Sequence, residues 1–215
     1  MRWLRVMMQR GVFYTLAIVF NRVIPEWLFR MRYFVVYEID VTNSLQQRSA
    51  AQCRWSESGE LDVVKRLTHF AGNLPENYRS IVAVVDREVV GAFWAARDQF
   101  DELDLGLRFQ LKDNQAWLFG AMVKKNYRGQ RIFPDMIQFI SCELLKQNVS
   151  GQFASVNPFN RPSMNVFKQK SLGRVSRAIV IRIFKLSFGF STSGIVWKRQ
   201  ISWKSDEIPI ECQLR

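Results

Sequence analysis

Apolar and polar positions alternate along this chain in ways that mark out most of its elements. Tyr33–Val41 (YFVVYEIDV) is rich in β-branched and aromatic residues and predicts a strand. A polar stretch rich in serine and glutamine follows through Ser58. In ELDVVKRLTHF, Leu61, Val64, Leu67 and, less regularly, Phe70 recur at helical spacing. Ser80–Asp86 and Glu88–Arg97 are apolar runs split at Asp86-Arg87, which predicts a hairpin. LDLGLRFQL and QAWLFGAMV flank the turn-forming cluster Lys112-Asp113-Asn114 and predict a second antiparallel pair.

From Pro134 the period becomes helical. Phe133, Met136, Ile137, Ile140 and Leu144 share one face of a helix that runs to about Gln147. Gln152–Val156 reads as a short strand, NRPSMNVFKQK as a capped short helix, and RVSRAIVIRIFKL and GIVWKRQISW as closing strands. In RVSRAIVIRIFKL, Val175, Arg177, Ile179, Ile181 and Ile183 fall on one face, the pattern of a half-buried strand. The order predicts an α+β domain over residues 33–215, a mixed, mostly antiparallel twisted sheet flanked by helices.

Residues 1–32 read as an amphipathic, aromatic helical extension. Their uninterrupted apolar run, Val12 to Phe20, is about half of the ~20 residues that span a bilayer, and Asn21 and Arg22 close it. A buried helix and peripheral contact with an anionic membrane surface both fit this segment.

Charge and composition narrow the function. The 215 residues are 48% hydrophobic and 13% aromatic, enough for a substantial core. The net charge of +12 is concentrated at the ends. Residues 1–32 hold six arginines against Glu26, residues 161–215 hold eleven basic and three acidic groups, and the middle is balanced. Such a surface attracts phosphorylated ligands, anionic lipid or nucleic acid. The strand RVSRAIVIRIFKL lacks the interleaved aromatics of a nucleic-acid platform, which argues against that partner. Cys53, Cys142 and Cys212 form no CxxC pair, so free thiols in a reducing, cytoplasmic compartment are expected. A single histidine, His69, rules out a multi-histidine metal site, and no metal is expected; it reads as a surface or core-edge residue rather than a catalyst.

The candidate chemistry lies in KKNYRGQRIFPDM, Lys124 to Met136. A strand that passes through a glycine turn into a helix presents free amides at a positive helix end, a ready seat for phosphate. Pro134 suits the first helical turn, and Lys124, Lys125, Arg128 and Arg131 add charge. A plain basic turn has the same letters, so the loop alone leaves both readings open.

The element order, with V-x-x-x-Y-R-G-x-x-I between strand and amphipathic helix, resembles the GNAT superfamily of acyl-CoA-dependent N-acyltransferases. Arg128 and Gly129 match the start of that family's loop, and Val123, Tyr127 and Ile132 match its surroundings. VNPFNRPSMNVFKQKSLG is similar to a later family element, with Asn160, Ser163 and Val166 at the expected steps. The resemblance implies acetyl transfer from acetyl-CoA to a primary amine of a small molecule or amino sugar. It places the cofactor between Trp117–Val123 and Gln152–Val156, with Ala121, Met122 and Val123 on the pantetheine. Arg128, Gly129, Gln130, Arg131, Ile132 and Phe133 would hold the pyrophosphate, and Asn160 would flank it. Among Asp101, Glu102 and Asp104, the nearest carboxylates by family topology, Glu102 is the candidate base. The alternative is a non-catalytic module of the same fold that uses its basic ends for nucleic acid or an anionic membrane.

Three departures stand out. Arg131 and Phe133 replace small residues of the family loop, and Phe167 stands where many members carry a tyrosine acid. An arginine forced to positive φ costs roughly 1 kcal/mol, so Arg131 is expected either to adopt another conformation or to be held by phosphate.

Overall fold

A computed structural model describes residues 24–25, 28–41, 49–70, 75–102, 106–184, 186–203 and 210–214. Of the helical extension expected over residues 1–32, residues 1–23 and 26–27 lie outside them, and Phe29–Arg32 are strand rather than helix, paired with the strand Ser171–Ile183. Strand β1 runs over Phe29–Ile39, starting ahead of the expected Tyr33, and β2 over Gln52–Trp55 lies within the stretch read as loop. The predicted hairpin is β3 (Tyr78–Val85) and β4 (Glu88–Ala96), turning through Asp86 and Arg87, both at positive φ. Strands β5 (Gln99–Glu102), β6 (Leu107–Gln110) and β7 (Gln115–Val123) follow, then β8 (Gly151–Val156) and β9 (Ser171–Ile183). The closing strands are β10 (Leu186–Ser191), β11 (Ile195–Arg199), β12 (Ile201–Trp203) and β13 (Ile210–Leu214). Helices α1 (Leu61–Thr68), α2 (Ile132–Lys146) and α3 (Arg161–Lys170) are the three that the sequence periods predict.

Nine strands form the large sheet in the order β12-β10-β9-β1-β8-β7-β4-β3-β2, and four form a small one, β11-β13-β6-β5. The class is α+β and mostly antiparallel, as expected. Within the large sheet β7 and β8 run parallel, and such a pair needs a long crossover, which α2 supplies.

The second predicted hairpin does not form. β6 pairs with β5 and β13, whereas β7 pairs with β4 and β8. The turn is real, since the Gln115 N–H donates to Lys112 O at 2.8 Å. It drops the chain from one sheet to the other instead of folding it back. Phe109 of β6 then stacks on Trp117 of β7 across the layers, 4.0 Å between centroids. A period of two is satisfied equally by a hairpin or by two facing sheets. GIVWKRQISW likewise splits at Gln200 into β11 and β12, one in each sheet.

Both faces of the large sheet are buried around its centre, at β1, β8, β7, β4 and β3. On one, α2 and α3 cover Val35, Tyr37, Ile81, Phe93 and Leu118. On the other, α1 and the small sheet cover Phe34, Val36, Trp94 and Trp117. The predicted stripe of α2 (Met136, Ile137, Ile140 and Leu144) is fully buried, worth about 1.5–3 kcal/mol per side chain. In β9 the buried half is Ser176, Ala178 and Val180, whereas Arg177, Ile179 and Ile183 are exposed.

Candidate functional site

β7 and β8 pair only from Gln115–Gly151 to Leu118–Ala154. Beyond that point β8 stays with β1, through Ser155–Val36 and Val156–Val35. Strand β7 bulges: Trp94 pairs with Phe119 and Ala92 with Met122, so β7 has one extra residue there. Gly120 lies in the bulge at φ +64, and a Cβ at this position would sit 2.9 Å from Trp94 Cδ1. The two parallel strands therefore part, and Ala121–Val123 lose their β8 neighbour. Gly120→Ala combines a left-handed backbone with a clash against a buried indole. It is expected to cost about 1–3 kcal/mol, read as a lower urea midpoint at unchanged m-value.

After β7 a short 3-10 turn, Lys125–Tyr127, leads into the loop. Arg128 is extended at φ −70, Gly129 stands at φ +83, and Arg131 at φ 62 and ψ 9. Positive φ at Gly129 and Arg131 makes a tight turn of the kind in which successive N–H groups can share one anion-binding concavity. Arg131 does adopt the left-handed conformation, so the first expectation for it fails. It occupies the N-cap of α2, and its side chain does not cap the helix. The amides of Gly129, Gln130, Arg131, Ile132 and Phe133 have no hydrogen-bond partner among the described residues. The next one, Asp135 N–H, donates to Arg131 O at 3.2 Å. Unsatisfied donors and the positive end of a 15-residue helix thus coincide.

Phe133 does not plug the groove. Its ring turns into the core, edge-on to Phe93 at 5.8 Å and to Phe167 at 5.7 Å. A cavity of about 580 Å³ opens beside the loop. Ala121, Met122 and Val123 form its β7 wall, and Arg128, Gly129, Arg131, Ile132 and Phe133 form its loop and helix wall. Asn160, Pro162, Ser163 and Val166 of the α3 region close it. β8, expected as the second wall, contributes no lining residue. Asn160 is the N-cap of α3, its Oδ1 accepting from Ser163 N–H at 3.4 Å.

The cations near the loop divide into engaged and open ones. Lys124 Nζ lies 2.7 Å from Glu88 Oε1, and the Tyr127 hydroxyl donates to Glu88 Oε2 at 2.9 Å. These two bonds hold the Glu88 carboxyl below its ordinary range, and the same contact pushes the Tyr127 hydroxyl up. Lys124 is therefore spent on bracing the turn. Arg128 folds back, Nε donating to Val123 O at 3.1 Å. Lys125 and Arg131 are exposed, with no hydrogen bond or ion pair among the described residues.

A second cavity, about 200 Å³, lies on the opposite face of the sheet. Arg32, Tyr33 and Phe34 of β1, and Ser155 and Asn157 at the end of β8, meet Phe100, Glu102, Leu107 and Phe109 of the small sheet there. Glu102 thus faces a cavity at the place where the strands part. Asp101 does not compete, because Arg108 holds it in a fork at 2.7 and 3.0 Å. Asp104 lies outside the described residues. Neither cavity is lined by a cysteine. Burial pushes the Cys53 thiol up to about 12, with Asp135 adding to the effect, and pushes Cys212 up as well. Neither of those two is a thiolate nucleophile at neutral pH.

The sequence matches no family model and no curated protein. Solved structures do match. A protein from Novosphingobium aromaticivorans described as a GNAT-family acetyltransferase superposes with a TM-score of 0.51 at 10% identity, covering 72% of this chain and 60% of that one. The fold is the GNAT fold. A Drosophila protein gives 0.51 at 10% identity, over 72% of this chain and 52% of its own. A functionally unknown conserved protein from Staphylococcus epidermidis gives 0.50 at 12%, over 83% and 64%. This chain spans less than two thirds of each.

On this GNAT fold the loop residues named from sequence converge on one cavity, except Lys124, Lys125 and Gln130, the last with its side chain donating to Asn126 O at 3.4 Å. Sequence reasoning passed over Pro162 as a wall and, apart from Glu102, the residues of the second cavity. Ser155 and Asn157 carried a usable signal, because they lie at the end of a strand reached by a parallel crossover. Arg32–Phe34 carried none, since only the tertiary fold brings β1 beside the small sheet.

Proposed function

We propose that this protein is an acyl-CoA-dependent N-acyltransferase that moves an acetyl group from acetyl-CoA to a primary amine of a small molecule or amino sugar. The observation that carries the reading is the run of partnerless amides, Gly129 to Phe133, at the mouth of a 580 Å³ cavity where the sheet parts. A diphosphate satisfies those donors, Arg131 and Lys125 complement its charge, and Ala121–Val123 have no β8 neighbour, so that edge can meet amide groups once Arg128 gives up the Val123 carbonyl. Acetyl-CoA supplies the activated acyl group. Glu102, on the other face, accepts the proton of the attacking amine, directly or through a water. As the new C–N bond forms the C–S bond breaks, and the sulfur leaves as thiolate. With a thiol pKa of about 8.5, that leaving group tolerates Phe167 in place of an acid. With no cysteine on either cavity, direct attack is favoured over a covalent enzyme intermediate.

Titration with CoA tests the binding half. At a hundredfold excess over the dissociation constant it should stabilise the fold by about 2.7 kcal/mol in thermal or urea unfolding. No shift overturns the reading. Free-thiol release with polyamine and amino-sugar acceptors tests turnover, and binding without thiol release would leave a non-catalytic module.

A further inference from the structure

The stretch Arg161–Trp203 holds nine basic residues and no acidic one over 43 positions. The same stretch contains seven of the eight large hydrophobic residues that are exposed among the described residues: Leu172, Ile179, Ile183, Phe184, Phe190, Val196 and Ile201, at 37% to 64% exposure. Pairing register gathers their centre into one patch. Ile179 lies opposite Phe190, Ile181 opposite Phe188, and Phe188 opposite Ile201, so β9, β10 and β12 present these side chains on a common face. Arg177, exposed, continues the β9 row, and Phe184 at φ 54 projects from the hairpin tip.

We propose that this face docks on an anionic lipid bilayer. Aliphatic and phenyl side chains beside Arg177, with exposed Arg161, Lys168 and Arg174 in the same acid-free stretch, match the two halves of a membrane interface, acyl chains below and negative headgroups above. Nucleic acid fits less well, because Leu172, Ile179, Ile183, Val196 and Ile201 outnumber the exposed rings of Phe184 and Phe190, and only rings stack bases. A second copy fits less well too, because a two-fold contact sets the same basic segment against itself. The contact is peripheral, as no helix among the described residues is long and apolar enough to cross a membrane.

Co-sedimentation of the full chain with phosphatidylcholine vesicles, with and without phosphatidylserine, tests this. Wild type should pellet with the phosphatidylserine vesicles and stay in solution with phosphatidylcholine alone. A variant carrying Ile183→Ser and Phe190→Ser, both on exposed positions, should lose roughly tenfold in binding while keeping its urea midpoint and its CoA affinity. Absence of wild-type binding overturns the proposal. So does undiminished binding by the variant, which would move the anchor elsewhere in the chain. A wild-type dimer that the variant splits gives the face to a second copy, and parallel loss of single-stranded RNA binding gives it to nucleic acid; either result also overturns it.

Discussion

Gly129→Asp is expected to abolish CoA binding while leaving the fold in place. The position is open, with no atom within 4 Å of an added Cβ, so no clash unfolds the protein. The backbone there stands at φ +83, where a side chain costs about 1 kcal/mol, a loss the domain can absorb. The carboxylate would enter the concavity formed by the free amides of Gly129–Phe133. Two like charges about 4 Å apart repel by roughly 4 kcal/mol at an effective dielectric constant of 20, which corresponds to about a thousandfold in affinity. Gly129→Asn separates the causes, because asparagine tolerates the left-handed backbone and adds no charge. Calorimetric titration should show near-complete loss for aspartate and a much smaller loss for asparagine. Equal losses would indicate backbone strain, and unchanged affinity in Gly129→Asp would refute the loop assignment.

What the sequence makes legible depends on the range of the interactions involved. The helices were legible because their apolar period is local: Met136 to Leu144 are spaced as they are buried. The loop was legible for the same reason, since glycine, basic residues and Pro134 lie within one turn of the helix they open. Pairing partners were not. LDLGLRFQL satisfies the same alternation whether it pairs with β7 or with β5 and β13, and the choice is made by Phe109 meeting Trp117 across two layers. Strand β9 was misleading in a different way. Its isoleucines mark the face that pattern reading would bury, yet small residues, Ser176 and Ala178, face the packed layer. The conformation of Arg131 was posed as a choice, and the backbone takes the costlier branch at the helix start. Strain at that point fits a site whose amides need a fixed direction more than a relaxed turn.

Glu102→Gln is the second large effect. At neutral pH a primary amine with a pKa of about 10 is almost wholly ammonium, so direct attack needs a group to take its proton. Glu102 lines the second cavity, on the face of the strand gap opposite the loop, and its neighbour Asp101 is held by Arg108 and cannot stand in. The glutamine variant keeps the shape and removes the base. Turnover at neutral pH should fall by about 10² to 10⁴, with CoA affinity unchanged because the 580 Å³ cavity does not include this residue. The pH profile carries the sharper test. As pH rises toward the acceptor's own pKa, solvent supplies the neutral amine, and the variant's rate should converge on that of wild type. Wild-type activity in the variant at every pH would remove Glu102 from the chemistry. A deficit that persists undiminished at alkaline pH would make it a group that positions the acceptor, and the base would then have to be sought elsewhere.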